Sequence, residues 1–250
     1  MGKLKTILRK HSGRDSSGSV SVRHQGGRQK RYYRDVDFKR SKRDVWGKVV
    51  SIEADPNRNA YIALIHYDDG DKAYIISPLG MELGRKVIAS ENAPIDPGNA
   101  LPLVKIPAGT QIHAIEVTPG AGGQLVRGAG SVAVVQGKEE NYILVKLPSG
   151  EIRRFPPQSW ASVGQIGNSE ARSEHVGKAG IMRRRGIRPS VRGTAQNPHS
   201  HPHGGGEGRS GVGLKYPKTP WGKPAVGNTR RKRKYSDKLI VQRRKLGSHH

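Results

Sequence analysis

The stretch VWGKVVSIEADPNRNAYIALIHYDDGDKAYIIS, residues 45–77, decides the fold. It holds three short runs rich in β-branched and aromatic side chains: Val45–Glu53, Ala60–Tyr67 and Lys72–Ser77. Such residues suit a pleated, half-buried surface. Asp55-Pro56-Asn57 separates the first two runs, and Asp69-Gly70 separates the last two. Proline presets φ, glycine admits positive φ, and Asp or Asn bonds to local backbone, so both are reversal signals. Asp69-Gly70 between apolar runs predicts a hairpin.

A second group of strands is expected after the loop Asn92–Gly98: Leu101–Ile106, Gln111–Thr118, Ser131–Gln136, Asn141–Leu147 and Glu151–Phe155, with Pro148-Ser149-Gly150 turning the last pair. Strands this short favour closed barrels, which leave no sticky edge. The fold class is therefore mainly β, and the break near residue 98 predicts two small barrels. A short helix is expected at Gly167–Val176, with Asn168 as cap and Glu170 behind it. Beyond Ile181, glycine and proline recur every few residues, which disfavours helix and sheet alike.

Charge separates the ends from the middle. The formal net charge is +25; residues 1–43 carry +11, residues 181–250 carry +16, and the centre is close to neutral. Leu, Ile, Val and Phe make up about 26% of the centre but about 15% of the two arms. That is too little for a charged segment to collapse by itself. The arms are expected to lack a core and to stay extended until a polyanion balances them. Nucleic acid is the obvious candidate for that polyanion.

Several function classes drop out. The absence of cysteine removes disulfide scaffolds, thiol catalysis and cysteine-based zinc sites. No apolar run reaches the length of a membrane span, and no amphipathic apolar face accompanies the charge. The basic start lacks a secretory apolar stretch, although its composition matches an organelle transit peptide as well as a nucleic-acid arm. Gly120-Ala121-Gly122-Gly123 has no amphipathic helix behind it and fails as a dinucleotide fingerprint. Carboxylates are scattered, with no pair placed for acid–base work. No enzyme is visible, and no cofactor is expected beyond structural Mg ions of a bound RNA.

The chemistry lies in cation clusters interleaved with glycine and tyrosine: Arg28–Arg34, Met182–Gly186 and Thr229–Tyr235. Arginine bonds phosphate oxygens through a planar fork, tyrosine stacks on unpaired bases, and glycine lets backbone N–H groups come close. His199, His201 and His203 alternate, but only Glu207 lies nearby as an acidic ligand, so no metal site is expected.

Several blocks are specific. They are Val22–Gly27 followed by Asp37–Arg40, Asp55–Arg58, Gly98–Pro102, Gly122–Leu125, Gly177–Gly180, Val191–Pro198, His201–Arg209, Thr219–Gly222 and Ser236–Val241. In them the chain resembles the family of the universal second protein of the large ribosomal subunit, ribosomal protein L-two, in its bacterial or organellar form. The resemblance implies an OB-fold barrel over 31–100, an SH3-like barrel over 101–180, and irregular basic extensions at 1–30 and 181–250. It implies a structural protein of the large subunit that binds rRNA and supports subunit association, tRNA positioning and the peptidyl-transferase region. Partners would be large-subunit rRNA, neighbouring large-subunit proteins, the small subunit and nearby tRNA. Neither a membrane nor independent homo-oligomers are expected, and the location would be a cytoplasmic or organellar ribosome.

The residues assigned to RNA in the N-terminal half are Arg23, His24, Arg28, Lys30, Arg31, Arg34, Lys39, Arg40 and Arg58. Those following are Arg183, Arg184, Arg185, Arg188, Arg192, His201, His203, Gly204, Gly205, Gly206, Arg209, Trp221 and Lys223. The last are Arg230, Arg231, Lys232, Arg233, Lys234, Arg243 and Arg244. The alternatives are a His201-dependent contribution to peptidyl transfer and a general nucleic-acid binder. Two departures from the family stand out: an N-terminal arm expected to be longer, and His199-Ser200 where an apolar–acidic pair is usual. The closing Gly-Ser-His-His lies past the family's usual end.

Overall fold

The computed structural model describes residues 4–225 and 235–244. The first strands are β1 (Lys5–Leu8), β2 (Arg31–Arg34), β3 (Gly47–Ala54), β4 (Tyr61–Tyr67), β5 (Lys72–Ile76) and β6 (Lys86–Val87). Strands β5-β4-β3-β6 form an antiparallel sheet, and β1 pairs with β2. All three runs of residues 45–77 are strands. Gly70 takes φ +87° in the β4–β5 turn, and Tyr67 N–H donates to the Asp71 carbonyl there. A bulge at Val50 shifts the β3–β4 register and adds the twist that curls a sheet towards closure.

β4 is buried on both faces, which explains its nearly unbroken apolar sequence. Ala63, Ile65 and Tyr67 pack with Val49, Ile75 and Val87. Ile62 packs on the other side with Val36, Tyr74, Ile76 and Ile166. Each fully buried isoleucine contributes about 1.5–3 kcal/mol.

The second group comprises β7 (Ala100–Pro102), β8 (Gln111–His113), β9 (Ile115–Glu116), β10 (Gly123–Leu125), β11 (Ala133–Lys138), β12 (Ile143–Lys146), β13 (Ile152–Phe155), β14 (Trp160–Val163) and β15 (Ile240–Gln242). Seven of them form one sheet, ordered β15-β13-β12-β11-β8-β14-β7, around Leu101, Leu103, Ile106, Ile112, Val135, Val145 and Phe155. The fold is mainly β, as the sequence predicted, and is consistent with OB and SH3-like domains.

Three expectations need correction. The run Gln111–Thr118 is two strands, because Ala114 at φ +47° breaks it. Leu101–Ile106 gives way after Pro102 to a 3-10 turn, Leu103–Lys105. The expected helix at Gly167–Val176 is a 3-10 turn at Ser169–Arg172. Asn168 there is left-handed and spends its amide on the Asn59 carbonyl at 2.7 Å instead of capping. The α-helix, α1, lies at Ala179–Arg185, where the sequence had been read as leaving organised structure, and Gly186 ends it at φ +95°.

The glycine cluster at 120–123 has a structural role. The buried Glu116 carboxylate accepts from the N–H groups of Gly120 (3.2 Å), Gly122 (2.9 Å) and Trp160 (3.1 Å). A Cβ on Gly123 would lie 2.4 Å from the Ala114 carbonyl oxygen. The glycines let the backbone fold over an otherwise unpaired carboxylate.

The chain divides into two compact units: Met1–Leu8, Lys30–His175 and Lys238–His250 form one, and Arg9–Gln29 with Val176–Asp237 form the other. Parts of both basic arms thus share the second body. Among its described residues no hydrophobic side chain is buried, in keeping with a segment short of apolar residues.

Candidate nucleic-acid interface

In the second unit, backbone hydrogen bonds join the two arms. Gly26 N–H donates to the Gly186 carbonyl (2.8 Å), Gln29 N–H to Arg184 (2.8 Å), and Arg188 N–H to His24 (3.0 Å). Gln25 and Ile187 form an antiparallel bridge. Glycine is required at this crossing. A Cβ on Gly26 would meet Arg188 Cγ at 2.8 Å, and one on Gly186 would meet Arg28 Cβ at 2.9 Å. Two basic segments, about 160 residues apart in sequence, are laid side by side.

The result is a cleft of about 760 Å³ lined by Lys10, Arg28, Arg183, Arg184 and Arg188, with Gly26, Gly27, Gln29 and Gly180 as its remaining walls. No acidic residue lines it. A second cleft of about 590 Å³ beside it takes Arg14, Arg23, His24 and again Arg188. Guanidinium groups and open glycine backbone on one concave surface have the chemistry that bonds phosphate oxygens. Lys10, Arg14 and Gly180 were absent from the sequence assignment. For Lys10 and Arg14 the signal is position in the N-terminal basic arm, and only the crossing brings them beside the residues of the distant segment.

The histidine–glycine block folds tightly. His201 N–H and Ser200 N–H donate to the Asn197 carbonyl, and Gly204 N–H donates to the His201 carbonyl at 2.9 Å. The His201 ring is buried over Gly193, where a Cβ would approach its Cε1 to 2.5 Å. Its Nδ1 accepts from His203 N–H at 3.1 Å, and His203 Nε2 accepts from Lys218 N–H at 2.8 Å. A nitrogen accepting from an amide carries no proton, so the neutral rings are fixed as the Nε2–H tautomer of His201 and the Nδ1–H tautomer of His203. His199 is exposed, and among the described residues no group of three or more His, Cys, Asp or Glu side chains is placed to hold a metal. Gly205 and Gly206, at φ +85° and +91°, continue the bend. Arg192, Arg209, Lys223 and Trp221 are exposed, Trp221 by 75%.

Several assigned cations serve the barrels. Arg58 Nε donates to the fully buried Asp55 carboxylate at 2.7 Å, and Arg34 lies 3.7 Å from the same carboxylate and 3.3 Å from Glu53. Arg31 donates to the Pro56 carbonyl at 2.9 Å. Arg40 is buried, which withdraws it from a surface set: Asp37 accepts from the N–H groups of Lys39, Arg40 and Ser41 and turns the chain inward. Burial, with the Arg40 charge adding to it, holds His113 at a pKa of about 4, against the bond from its ring to the Gly164 carbonyl (2.8 Å). Lys30, Lys39, Arg185, Arg243 and Arg244 are exposed. Arg230, Arg231, Lys232, Arg233, Lys234 and the closing Gly-Ser-His-His lie outside the described residues.

A mainly β scaffold and, in the second unit, a glycine-walled cleft rich in cations are features of an RNA-binding protein. Residues 1–89 match the family described as Ribosomal Proteins L2, RNA binding N-terminal domain, and residues 96–222 match Ribosomal Proteins L2, C-terminal domain. The chain belongs to the ribosomal protein L2 family. It is a structural, RNA-binding protein of the large ribosomal subunit. No helix among the described residues is long and apolar enough to cross a membrane.

Proposed function

We propose that the crossed arms are the principal rRNA grip, seated in a crowded RNA junction close to the peptidyl-transferase region and the subunit interface. In that place the protein supports subunit joining and tRNA positioning. The carrying observation is the cleft of Lys10, Arg28, Arg183, Arg184 and Arg188, concave, cationic and without a carboxylate. RNA supplies the missing negative charge, and any Mg ions present belong to the RNA. Neighbouring large-subunit proteins, the small subunit and tRNA are partners through that position, which the family resemblance supports. His201 acts as a scaffold: its Nδ1 is occupied by His203 N–H, and its ring is covered. No proton-transfer role is assigned to it.

Each phosphate neutralised adds about 0.7–0.9 to the log–log salt slope of binding. Replacing Arg183 and Arg184 by Gln should lower the slope against an rRNA fragment by about 1.5 while the barrels keep their thermal midpoint. An unchanged slope would remove the cleft from the interface. Equal affinity for duplex DNA would favour the general nucleic-acid binder.

A further inference from the structure

The two edges of the seven-stranded sheet are closed in different ways. At one edge, Ala100 N–H of β7 donates to the Ile88 carbonyl (3.0 Å), and Ser90 N–H donates to the Ala100 carbonyl (3.1 Å). At the other, β13 pairs with β12 along its whole length, and Leu147 N–H donates to the Glu151 carbonyl just before it (2.8 Å). Backbone groups alternate in direction along an antiparallel strand, so those of Arg153 face β12 and those of Ile152 turn away from it. β15 lies along that outward side.

β15 has the marks of a cover that comes off. It is three residues long and meets β13 in two register pairs, Ile152 with Gln242 and Arg153 with Ile240, slipping register between them. None of its side chains is buried, and Val241 is 51% exposed. The chain leaves β13 at Phe155 and returns at Ile240 only after Val176–Asp237, which belong to the second unit. So long a connection costs closure entropy, and a short exposed strand has little to offset it. β13, by contrast, is pinned by Phe155, which is 1% exposed in the core. Lys238, Arg243 and Arg244 flank β15 and are exposed. Charge around a short edge strand discourages further pairing.

We propose that Ile240–Gln242 is a detachable strap over a strand-docking edge. Closed, it pairs with the outward side of β13 and puts a short, charged edge in its place. Open, it leaves unpaired N–H and C=O groups on a fixed strand, a surface that takes an extended polypeptide. The occupant is the segment Tyr235–Arg244, whether joined to the chain or supplied separately.

Native-state amide exchange on the full-length chain tests the opening. The Ile152 amide should exchange about 100-fold faster than the Arg153 amide, because only the first is released with the strap. Equal protection of the two would overturn the proposal. A labelled peptide of residues 235–244 tests the docking. Ile240→Pro removes a backbone donor from the strap, and the full-length variant should bind this peptide about tenfold tighter than the unaltered chain, where the strap competes. A peptide of the same composition in scrambled order controls for charge alone. Binding no tighter to the variant, or equal binding of the scrambled peptide, would remove the docking edge. Loss of amide protection in β11 and β12 of the variant would also overturn the proposal, since β15 would then be part of what holds the sheet together.

Discussion

The Nδ1 atom of His201 accepts a hydrogen bond from the backbone N–H of His203 at 3.1 Å, and this closes the bend that places Gly204 against Asn197. The imidazole is a strut in its own loop. Its proximity to glycines reflects packing, since a larger residue at Gly193 would displace the ring.

The strut can be tested by moving its acceptor. Asparagine places an oxygen near the position of Nδ1, and glutamine does not. His201→Asn should retain the loop, whereas His201→Gln should lose about 1 kcal/mol of local stability. Amide exchange at His203 reads the difference. Identical exchange in the two variants would show that this bond does not hold the bend.

Gly204 has no room for a side chain: a Cβ would sit 2.3 Å from the Asn197 oxygen and 2.5 Å from its carbonyl carbon, both backbone atoms. Gly204→Ala should cost about 1–3 kcal/mol and speed proteolysis of the 193–206 loop. Gly211→Ala, where nothing lies within 4 Å, is the matched control and should change neither.

Asp55 anchors the β3–β4 turn from inside. Its carboxylate accepts from Asn57 N–H (3.0 Å), Asn57 Nδ2 (2.9 Å) and Arg58 Nε (2.7 Å), with its side chain fully buried. Asp55→Ala strands the Arg58 charge and should cost about 3–5 kcal/mol in urea denaturation. A loss below about 1 kcal/mol would mean that solvent reaches Arg58 and relieves it.

His113 makes folding pH-dependent. Its pKa falls from 6.5 to about 4 because burial disfavours the charged ring and Arg40 opposes it further. Below pH 6.5 the unfolded chain takes up a proton that the native state refuses, so stability is full above 6.5 and falls down to about 4. The total is about 3 kcal/mol. His113→Asn, which keeps a donor for the Gly164 carbonyl, should flatten this part of the urea midpoint–pH curve. An unchanged curve would assign the dependence to other groups.

Local chemistry made the barrels readable. The runs in residues 45–77 carry their own strand residues and turn signals, so neighbours in sequence became neighbours in the sheet. The same local logic missed β1, β2 and β15, which are basic or very short and exist because distant partners offer edges. It placed the helix too early because Asn168 looked like a cap, while a bond to Asn59, over a hundred residues away, claimed its side chain. Arg40 read as one more surface cation, since nothing in the neighbouring sequence shows that Asp37 turns it inward.

The sequence by itself determined what kind of partner this protein needs, because charge and apolar content belong to each residue wherever the chain goes. It also showed that the arms are too poor in apolar residues to build a core of their own. Which cations converge was settled by the tertiary structure alone. Lys10, Arg28 and Arg184 share a cleft only because Gly26 and Gly186 allow two strands of backbone to cross, and contact between distant segments is a property of the folded chain.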